Sequence, residues 1–264
     1  MPRLPRIPDI LTTANLSCGV GSILLASQGQ LTLACWLVFA GAAFDVLDGL
    51  AARALGGGSE FGKQLDSLAD MVTFGVAPAF IAIVDPAEAL QQALARDFVP
   101  HTFSPGALFG QPLWAGVACA LVIVITSAWR LAKFNIDTRQ STGFLGLATP
   151  ANALFWASAG SCAWGVGMIE GPGAHALQHP IGLIATDPVL KLIVAVILGA
   201  LMLSELPLPS LKFTHFKWKG NEIIFILLGI GLVLALLYGI LAVPLILLLY
   251  LLSPLWGKLF LKTA

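Results

Sequence analysis

Residues 45–70 of this chain read DVLDGLAARALGGGSEFGKQLDSLAD, and this stretch decides how the sequence can fold. A glycine-rich turn separates two pairs of aspartates. Asp45 and Asp48 precede the turn, and Asp66 and Asp70 follow it. A spacing of three or four residues places the members of each pair on one face of an α-helix. Because the two helices are neighbours in the chain, we predict an antiparallel hairpin with all four carboxylates at a similar depth.

The composition indicates where such a hairpin can lie. Of the 264 residues, 58% are hydrophobic and 11% are Asp, Glu, Lys or Arg, and the mean hydropathy is +0.89. A soluble domain carries about 25% charged residues, and disordered chains are poor in apolar residues. The net charge is zero, whereas nucleic-acid binding needs a basic surface. We therefore predict an all-α polytopic membrane protein without a nucleic-acid partner.

Apolar runs that are long enough to cross a bilayer, about 20 residues each, occur eight times. They cover residues 12–28, 30–53, 65–84, 110–134, 150–169, 188–205, 222–238 and 240–257, and the last two are joined tightly at Gly239. No segment alternates with period two as the strands of a membrane barrel do. We predict eight transmembrane helices in a single membrane domain, residues 1–264, and no strands.

Basic residues are distributed unevenly between the loops. With eight spans, 12 of the 14 lysines and arginines fall on one side of the membrane, and only Arg96 and Lys191 fall on the other. Loops rich in lysine and arginine remain in the cytoplasm. We therefore expect a multi-pass protein of the inner (cytoplasmic) membrane. Both termini, and the end of the hairpin that carries the aspartates, would face the cytoplasm.

Four carboxylates at one depth in a membrane need a neutralising partner, because each charge costs roughly 3 kcal/mol or more near the bilayer centre. Hard divalent cations prefer oxygen ligands, and paired metal ions suit phosphoryl chemistry. The alternative is ion pairing with Arg53 and Lys63, although two cations do not neutralise four acids. A divalent metal site is therefore predicted. Gly49 leaves room there for a ligand, and the guanidinium of Arg53 can bind a phosphate.

Taken together, these residues resemble the signature of the CDP-alcohol phosphotransferase family. The matching positions are Asp45, Asp48, Gly49, Ala52, Arg53, Gly62, Asp66 and Asp70. The resemblance covers residues 10–212 and implies a catalytic core of six helices, with the signature on the second and third. Residues 213–264 would then form two additional C-terminal helices.

The resemblance implies an enzyme that transfers a phosphatidyl group from a CDP-linked lipid to an alcohol and releases CMP. In that family the four aspartates bind two divalent ions, Mg²⁺ or Mn²⁺, and the last aspartate, here Asp70, deprotonates the acceptor hydroxyl. The residues implied for the CDP-lipid pocket are Asp48, Gly49, Ala52, Arg53 and Gly62. Asn15 in the first span would contact the cytidine or, alternatively, another helix. A homodimer among the membrane lipids is also implied.

Three further segments resemble the phosphatidylserine synthase branch of the family. They are residues 59–79, 130–135 and 144–151, although Ala148 stands where that branch often has proline. The resemblance favours CDP-diacylglycerol and L-serine as substrates. The serine carboxylate needs a cation, which Arg130 or Lys133 can supply, and Asn135 is a further candidate contact. Alternatively, the basic side chains only reach towards the headgroups, and Asn135 only ends a helix.

Other functions remain open at this point. The same chemistry could use glycerol 3-phosphate, an inositol phosphate or choline as the alcohol. A phosphorylated acceptor would use a basic cluster such as Arg130, Lys133 and Arg139, whereas choline would need an aromatic cage. A function of a different class, a cation channel or transporter, would also use acidic residues. It predicts acids distributed across the bilayer, whereas those of this sequence are gathered at one depth.

Overall fold

The computed structural model describes residues 6–84, 113–137, 144–162, 171–209, 221–254 and 256, and nearly all of them are helical. The helices are α1 (Ile7–Ser27), α2 (Leu31–Ala54), α3 (Glu60–Asp70), α4 (Ala77–Ile83), α5 (Leu113–Ile136), α6 (Thr149–Cys162), α7 (Ala174–Thr186), α8 (Pro188–Leu203), α9 (Glu222–Tyr238) and α10 (Ala242–Leu251). A π-helical turn, Met71–Val76, joins α3 to α4. The prediction of an all-α membrane fold is confirmed. Arg96 and Arg139 lie outside the described residues.

The predicted number of eight spans is not confirmed. In the described parts of the chain, five helical stretches are long and apolar enough to cross a membrane. A sixth is formed if α7 and α8, which meet at 91°, are one broken span. The described part of α6 has 14 residues and is about 21 Å long, while the ten residues of α10 reach about 15 Å. Both lengths fall short of the roughly 30 Å of a hydrocarbon core.

One of those five stretches, Glu222–Leu251, turns back on itself at Gly239. This glycine has a φ of +60° and a ψ of −135°, a conformation that side chains other than glycine rarely adopt. The side chain of Ile246 lies 3.8 Å from the position of a Cβ on Gly231. In one continuous helix these residues would be about 22 Å apart. α9 and α10 therefore form a tight hairpin, as the glycine predicts.

The two larger of three apolar clusters hold most of the helices together. In the first cluster, Val38 of α2 and Phe74 of the π-helical turn pack with Ala153 of α6. In the second, Trp156 of α6 packs with Met202 of α8 and with residues of α4, α5 and α10. α6 belongs to both clusters and is therefore the central helix. Outside them, α5 exposes Leu121, Ile125 and Trp129 at four-residue intervals, which is typical of a lipid-facing surface.

Glycines bring the first three helices of the chain into close contact. A Cβ on Gly19 of α1 would lie 2.8 Å from the Cα of Thr73, and a Cβ on Gly41 of α2 would lie 3.0 Å from Asn15 Oδ1. Such small residues let membrane helices approach closely. The π-helical turn lies at this junction, and π turns are frequent near functional sites.

Two elements differ from the sequence prediction. α7 lies in a segment that was predicted as an outward loop, and its 13 residues are too few to cross the membrane alone. The expectation of no strands is wrong for a short pair, because β1 (Phe144–Leu145) pairs antiparallel with β2 (Pro207–Leu208). Next to this pair, the N–H of Leu147 donates to the carbonyl of Leu201, so the β1 segment covers the end of α8.

Candidate active site

The aspartates of α2 and α3 converge near the linked ends of the two helices. Asp48 lies six residues before the end of α2 and Asp66 six residues after the start of α3. At 1.5 Å per residue both are about 9 Å from the helix ends. One carboxylate oxygen each from Asp45, Asp48 and Asp66 lie within 4.8 Å of one another. Three of the four predicted carboxylates therefore converge in the structure.

Asp70 lies one turn further along, at the end of α3, and faces α1. Its Oδ1 accepts a hydrogen bond from Asn15 Nδ2 at 3.2 Å. It is not one of the three residues whose carboxylate oxygens lie within 4.8 Å of one another. Asp70 thus borders the three clustered carboxylates and differs from them in having an amide donor.

The carboxylate cluster has the properties of a divalent metal site. Its ligands are hard oxygen atoms, which Mg²⁺ and related ions prefer. Asp66 Oδ1 is buried and has no hydrogen-bond partner, and a buried polar atom without a partner is rare unless a ligand or water occupies the site. These observations fit a metal between the two helices.

The alternative of ion pairing finds no support in the part of the chain that the structure describes. Lys63 pairs with Glu60 at 2.9 Å, and both side chains are largely exposed. Arg53 is exposed on the last turn of α2. Neither of these cations forms a salt bridge with any of the four aspartates there. Among the described residues, no basic side chain therefore pairs with the carboxylates of the cluster.

A cleft of about 120 Å³, partly open to solvent, lies beside the carboxylates. Its lining comes from α1, the end of α2, the loop between α2 and α3, and the start of α3. The lining residues are Arg6, Pro8, Asp9, Thr12, Asp48, Gly49, Ala52, Gly57, Gly58, Ser59, Gly62, Lys63 and Asp66. Four of the five signature residues predicted for the CDP-lipid pocket are among them.

Two predicted pocket residues have other positions. Arg53 does not line the cleft, and its Nη1 lies 3.6 Å from the position of a Cβ on Gly49. The guanidinium therefore lies back along α2, next to the cleft floor. Asn15 is fully buried and is directed at Asp70 rather than into the cleft. Of the two interpretations of Asn15, a polar contact between helices therefore describes this geometry.

Glycine at position 62 has a direct steric reason. A Cβ there would lie 3.1 Å from Asp9 Oδ1 and 3.2 Å from Ser59 Oγ. The backbone N–H of Gly62 donates to the Ser59 hydroxyl, which caps the start of α3. The absence of a side chain at Gly62 therefore lets α3 begin close to α1, where both helices line the cleft.

Apart from Asn15, sequence reasoning missed the contribution of α1 to this site. Thr12 lines the cleft and donates its hydroxyl to Asp48 Oδ2 at 2.6 Å. Asp9 lines the same wall and accepts a hydrogen bond from the Arg6 N–H at 3.0 Å. A detectable signal was present, because polar residues recur at intervals of three or four along α1 in an otherwise apolar run.

The three candidates for acceptor binding lie in different surroundings. Arg130 is 4% exposed, and its Nε donates to the carbonyl of Leu147 at 3.2 Å. Its guanidinium also lies 5.4 Å from the centre of the Phe134 ring. Lys133 forms a surface ion pair with Glu205 at 3.5 Å.

Asn135, the third candidate, donates to Ser67 Oγ at 2.9 Å and so links α5 to α3 between Asp66 and Asp70. Of the three candidates for acceptor binding, Arg130 is therefore the one that is both positively charged and buried.

Comparisons with known proteins agree with the signature. The sequence profile of the CDP-alcohol phosphatidyltransferase family matches residues 6–252. The CDP-diacylglycerol–serine O-phosphatidyltransferase of Helicobacter pylori (strain ATCC 700392 / 26695) is 33% identical over 228 residues, which are 86% of this chain and 80% of that protein. The enzyme of the same name from Bacillus subtilis is 29% identical over 82% of this chain and 94% of its own length.

Two further similarities extend this comparison. The archaetidylserine synthase of Methanothermobacter thermautotrophicus is 34% identical over 150 residues, covering 56% of this chain and 54% of that protein. Among solved structures, the phosphatidylinositol phosphate synthase of Mycobacterium tuberculosis with CDP-DAG bound is 22% identical. It covers 73% of this chain and 86% of that one, with a TM-score of 0.41.

Proposed function

Because this chain belongs to the CDP-alcohol phosphatidyltransferase family, we propose that it transfers the phosphatidyl group of CDP-diacylglycerol to L-serine, giving phosphatidylserine and CMP. The observation that carries the proposal is the group of three carboxylates within 4.8 Å of one another beside a cleft lined by signature residues. The choice of serine is supported by relatives that are 29–34% identical, whose names give serine as the acceptor or a serine lipid as the product.

We assign the CDP end of the lipid to the cleft between α1 and the α2–α3 loop. Asp48, Gly49, Ala52 and Gly62 line this cleft, and Gly49 keeps its floor free of a side chain. Lys63 and Arg6 on the rim supply positive charge for the diphosphate. Arg53 beside Gly49 can reach the same phosphates, with its planar guanidinium as a bidentate donor.

Asp45, Asp48, Asp66 and Asp70 would hold two divalent ions, Mg²⁺ or Mn²⁺. When bound, such ions neutralise the diphosphate and stabilise the oxygens of the attacking and leaving groups. The protein supplies the ligand atoms from two rigid helices rather than from loops. That placement puts the four carboxylates about 9–15 Å from the linked helix ends.

Asp70 is the residue that we assign as general base. In the reaction the serine hydroxyl attacks the phosphorus attached to diacylglycerol, the bond from this phosphorus to the CMP oxygen breaks, and CMP leaves with the electron pair. The hydroxyl is a weak nucleophile and needs an adjacent base to take its proton. Asn15 occupies one oxygen of Asp70, so the other oxygen is left to accept that proton.

Of the candidates for acceptor binding, Arg130 fits the serine carboxylate best. It is a buried cation on α5, the helix that contacts α3 through the Asn135–Ser67 hydrogen bond. Its Nε is committed to Leu147, and the terminal nitrogens of its guanidinium present further donors in a fixed plane. In the first turn of α6, Asn152 Oδ1 is buried and has no hydrogen-bond partner, so a polar ligand in this part of the bundle would find an acceptor.

The placement of the protein in the cell is part of the proposal. The described helices make it a multi-pass membrane protein, and the asymmetry of its basic residues supports the inner membrane with the site facing the cytoplasm. A cytoplasmic site would meet soluble serine without crossing the bilayer. The homodimer, and the division into a core of residues 10–212 and additional C-terminal helices, stay predictions.

The test is an assay of CMP release with defined alcohols. Purified protein in detergent receives CDP-diacylglycerol, Mg²⁺ or Mn²⁺, and one of serine, glycerol 3-phosphate, inositol phosphate or choline. We expect CMP and phosphatidylserine with serine, and no product after a chelator removes the metal. CMP release with glycerol 3-phosphate but not serine would overturn the choice of acceptor. Absence of CMP with every alcohol would overturn the reaction itself.

A further inference from the structure

α1 carries a polar stripe on the face that it buries. The buried residues of this helix are Asp9, Thr12, Asn15, Gly19, Ser22 and Ala26. They recur every three or four residues and so lie on one face. Polar residues inside membrane helices are costly unless they have partners or a function. The partners of Thr12 and Asn15 are two aspartates on two different helices.

Thr12 contacts Asp48 at 2.6 Å, and both residues are buried. The same hydroxyl lies 3.0 Å from the Pro8 carbonyl of its own helix. A hydroxyl has only one proton to donate. The contact with the charged carboxylate is shorter and charge-assisted, which makes it the stronger bond, so the proton is directed to Asp48 Oδ2.

Asn15 contacts Asp70 in the corresponding way one turn along. A carboxylate accepts hydrogen bonds only, so the amide must direct its NH₂ group at Asp70 Oδ1, as the structure has it at 3.2 Å. The backbone carbonyl of Asn15 accepts a hydrogen bond from the Thr73 hydroxyl at 2.9 Å. Together with the close approach at Gly19, this bond fixes the depth of α1 against the third span.

We propose that Thr12 and Asn15 are positioning residues, through which α1 sets the orientation of one carboxylate on α2 and one on α3. Thr12 holds Oδ2 of Asp48, so that the other oxygen is directed at the cluster with Asp45 and Asp66. Asn15 holds Oδ1 of Asp70 and leaves its second oxygen free for the reaction. The role of Asn15 rests on the proposed function, whereas the role of Thr12 requires only that the cluster binds a metal.

Mn²⁺ binding to the purified full-length protein without substrate tests the role of Thr12. Thr12→Val keeps the shape of the side chain and removes the hydroxyl, whereas Thr12→Ser retains it. Loss of a group that orients a ligand typically weakens metal binding by about 10–100-fold. We expect at least a roughly tenfold rise in the Mn²⁺ dissociation constant for Thr12→Val, read from the free Mn²⁺ signal in electron paramagnetic resonance, and little change for Thr12→Ser.

Thr13→Val is the matched control. Thr13 is exposed, and its hydroxyl donates at 2.7 Å to the Asp9 carbonyl of its own helix. The same substitution one position away should leave Mn²⁺ binding unchanged. Equal Mn²⁺ affinity in Thr12→Val and the wild type would overturn the proposal. If Thr12→Val does not fold, Thr12→Ser still decides, because loss of Mn²⁺ binding in a folded Thr12→Ser protein would exclude the hydroxyl as the determinant.

Asn15→Leu tests the second contact through kinetics. Removing the amide donor should lower kcat for CMP release by about tenfold or more, with a smaller change in KM for CDP-diacylglycerol. Asn15→Gln, which retains an amide, should recover part of the loss. An unchanged kcat in Asn15→Leu would overturn this half of the proposal. Failure of the wild type to release CMP with any alcohol would instead count against the proposed function and leave the Mn²⁺ comparison valid.

Discussion

The two ends of the proposed reaction are built in different ways. At the donor end, carboxylates from α2 and α3 meet with hydroxyl and amide donors from α1, all within the first 70 residues of the chain. At the acceptor end, Arg130 on α5 is held by the carbonyl of Leu147, beyond the end of its helix. The donor end depends on side-chain spacing along adjacent helices, whereas the acceptor end depends on backbone groups from distant segments. We therefore expect the donor end to be most sensitive to substitutions that change the functional group of a side chain. The acceptor end should be most sensitive to substitutions that change the backbone conformation.

The largest effect is expected for Asp70→Asn at the donor end. The amide keeps the shape of the carboxylate and cannot take the serine proton, so kcat should fall by roughly 10²–10⁴-fold, the usual contribution of a general base. Binding of CDP-diacylglycerol, measured by titration calorimetry, should persist at least in part. Glu60→Gln is the control, because Glu60 is an exposed acid on the same helix. Full turnover in Asp70→Asn would remove Asp70 as the base.

A second substitution separates the two ends. Arg130→Lys retains the charge and loses the planar group of donors. A hydrogen bond to a charged group contributes about 1.5–3 kcal/mol, so KM for serine should rise by about tenfold or more, while KM for CDP-diacylglycerol stays near its wild-type value. Steady-state CMP release at varied serine and varied lipid measures both constants. Equal rises in the two constants would mean that Arg130 supports the fold rather than the acceptor.

A third change concerns the backbone of the acceptor end. Gly146 has a φ of +71°, and a Cβ there would lie 2.6 Å from the carbonyl oxygen of Ser204. Gly146→Ala should therefore destabilise the protein by about 1–3 kcal/mol, the usual range for a residue forced into this region. A thermal unfolding scan in detergent measures the loss. Gly229→Ala is the control, since nothing lies within 4 Å of its Cβ position, and a similar loss in both variants would contradict the steric argument.

The smallest effect is expected for Lys133→Ala. The ion pair of Lys133 with Glu205 is 3.5 Å long and lies at the surface, and such pairs contribute about 0–1 kcal/mol. KM for serine should change by less than about fivefold, which corresponds to that energy. The same kinetic assay measures it. A larger rise would place Lys133 beside Arg130 as a second contact of the serine carboxylate.

The convergence of Asp45, Asp48 and Asp66 could be predicted because its information is local. Two pairs of aspartates at helical spacing are separated by a turn of glycines, which brings the two helices together at their linked ends. The contact of Thr12 with the site was not predicted, because a single threonine in an apolar helix is common. Only its helical spacing from Asp9 and Asn15 indicates that the three residues share one polar face. Whether Asn15 faces the nucleotide or Asp70 depends on the rotation of α1, which the close approach at Gly19 sets.

The remaining parts of the fold depend on contacts between distant residues. The β1–β2 pair involves four residues, too few for any periodic pattern. Beside it, the N–H of Leu147 donates to the carbonyl of Leu201 in the last turn of α8, and the N–H of Gly146 donates to the carbonyl of Leu206 beyond that helix. α7 is too short to be recognised as a span and contains Pro180. The reversal at Gly239, by contrast, is visible in the sequence, because a glycine between two apolar runs indicates a turn.

The position of the carboxylates, about 9–15 Å from the linked helix ends, determines how molecules reach and leave them. A layer of headgroups is several ångströms thick on each side of the hydrocarbon, so a site at this distance from the helix ends would lie near the edge of the hydrocarbon, beneath the headgroups of one leaflet. The lipid substrate arrives by two-dimensional diffusion in one leaflet, while the amino acid arrives by three-dimensional diffusion from solution. The new lipid is released into the leaflet from which its precursor came. Synthesis at this site therefore generates a bilayer with unequal leaflets, and any equalisation needs a separate step that carries the headgroup across.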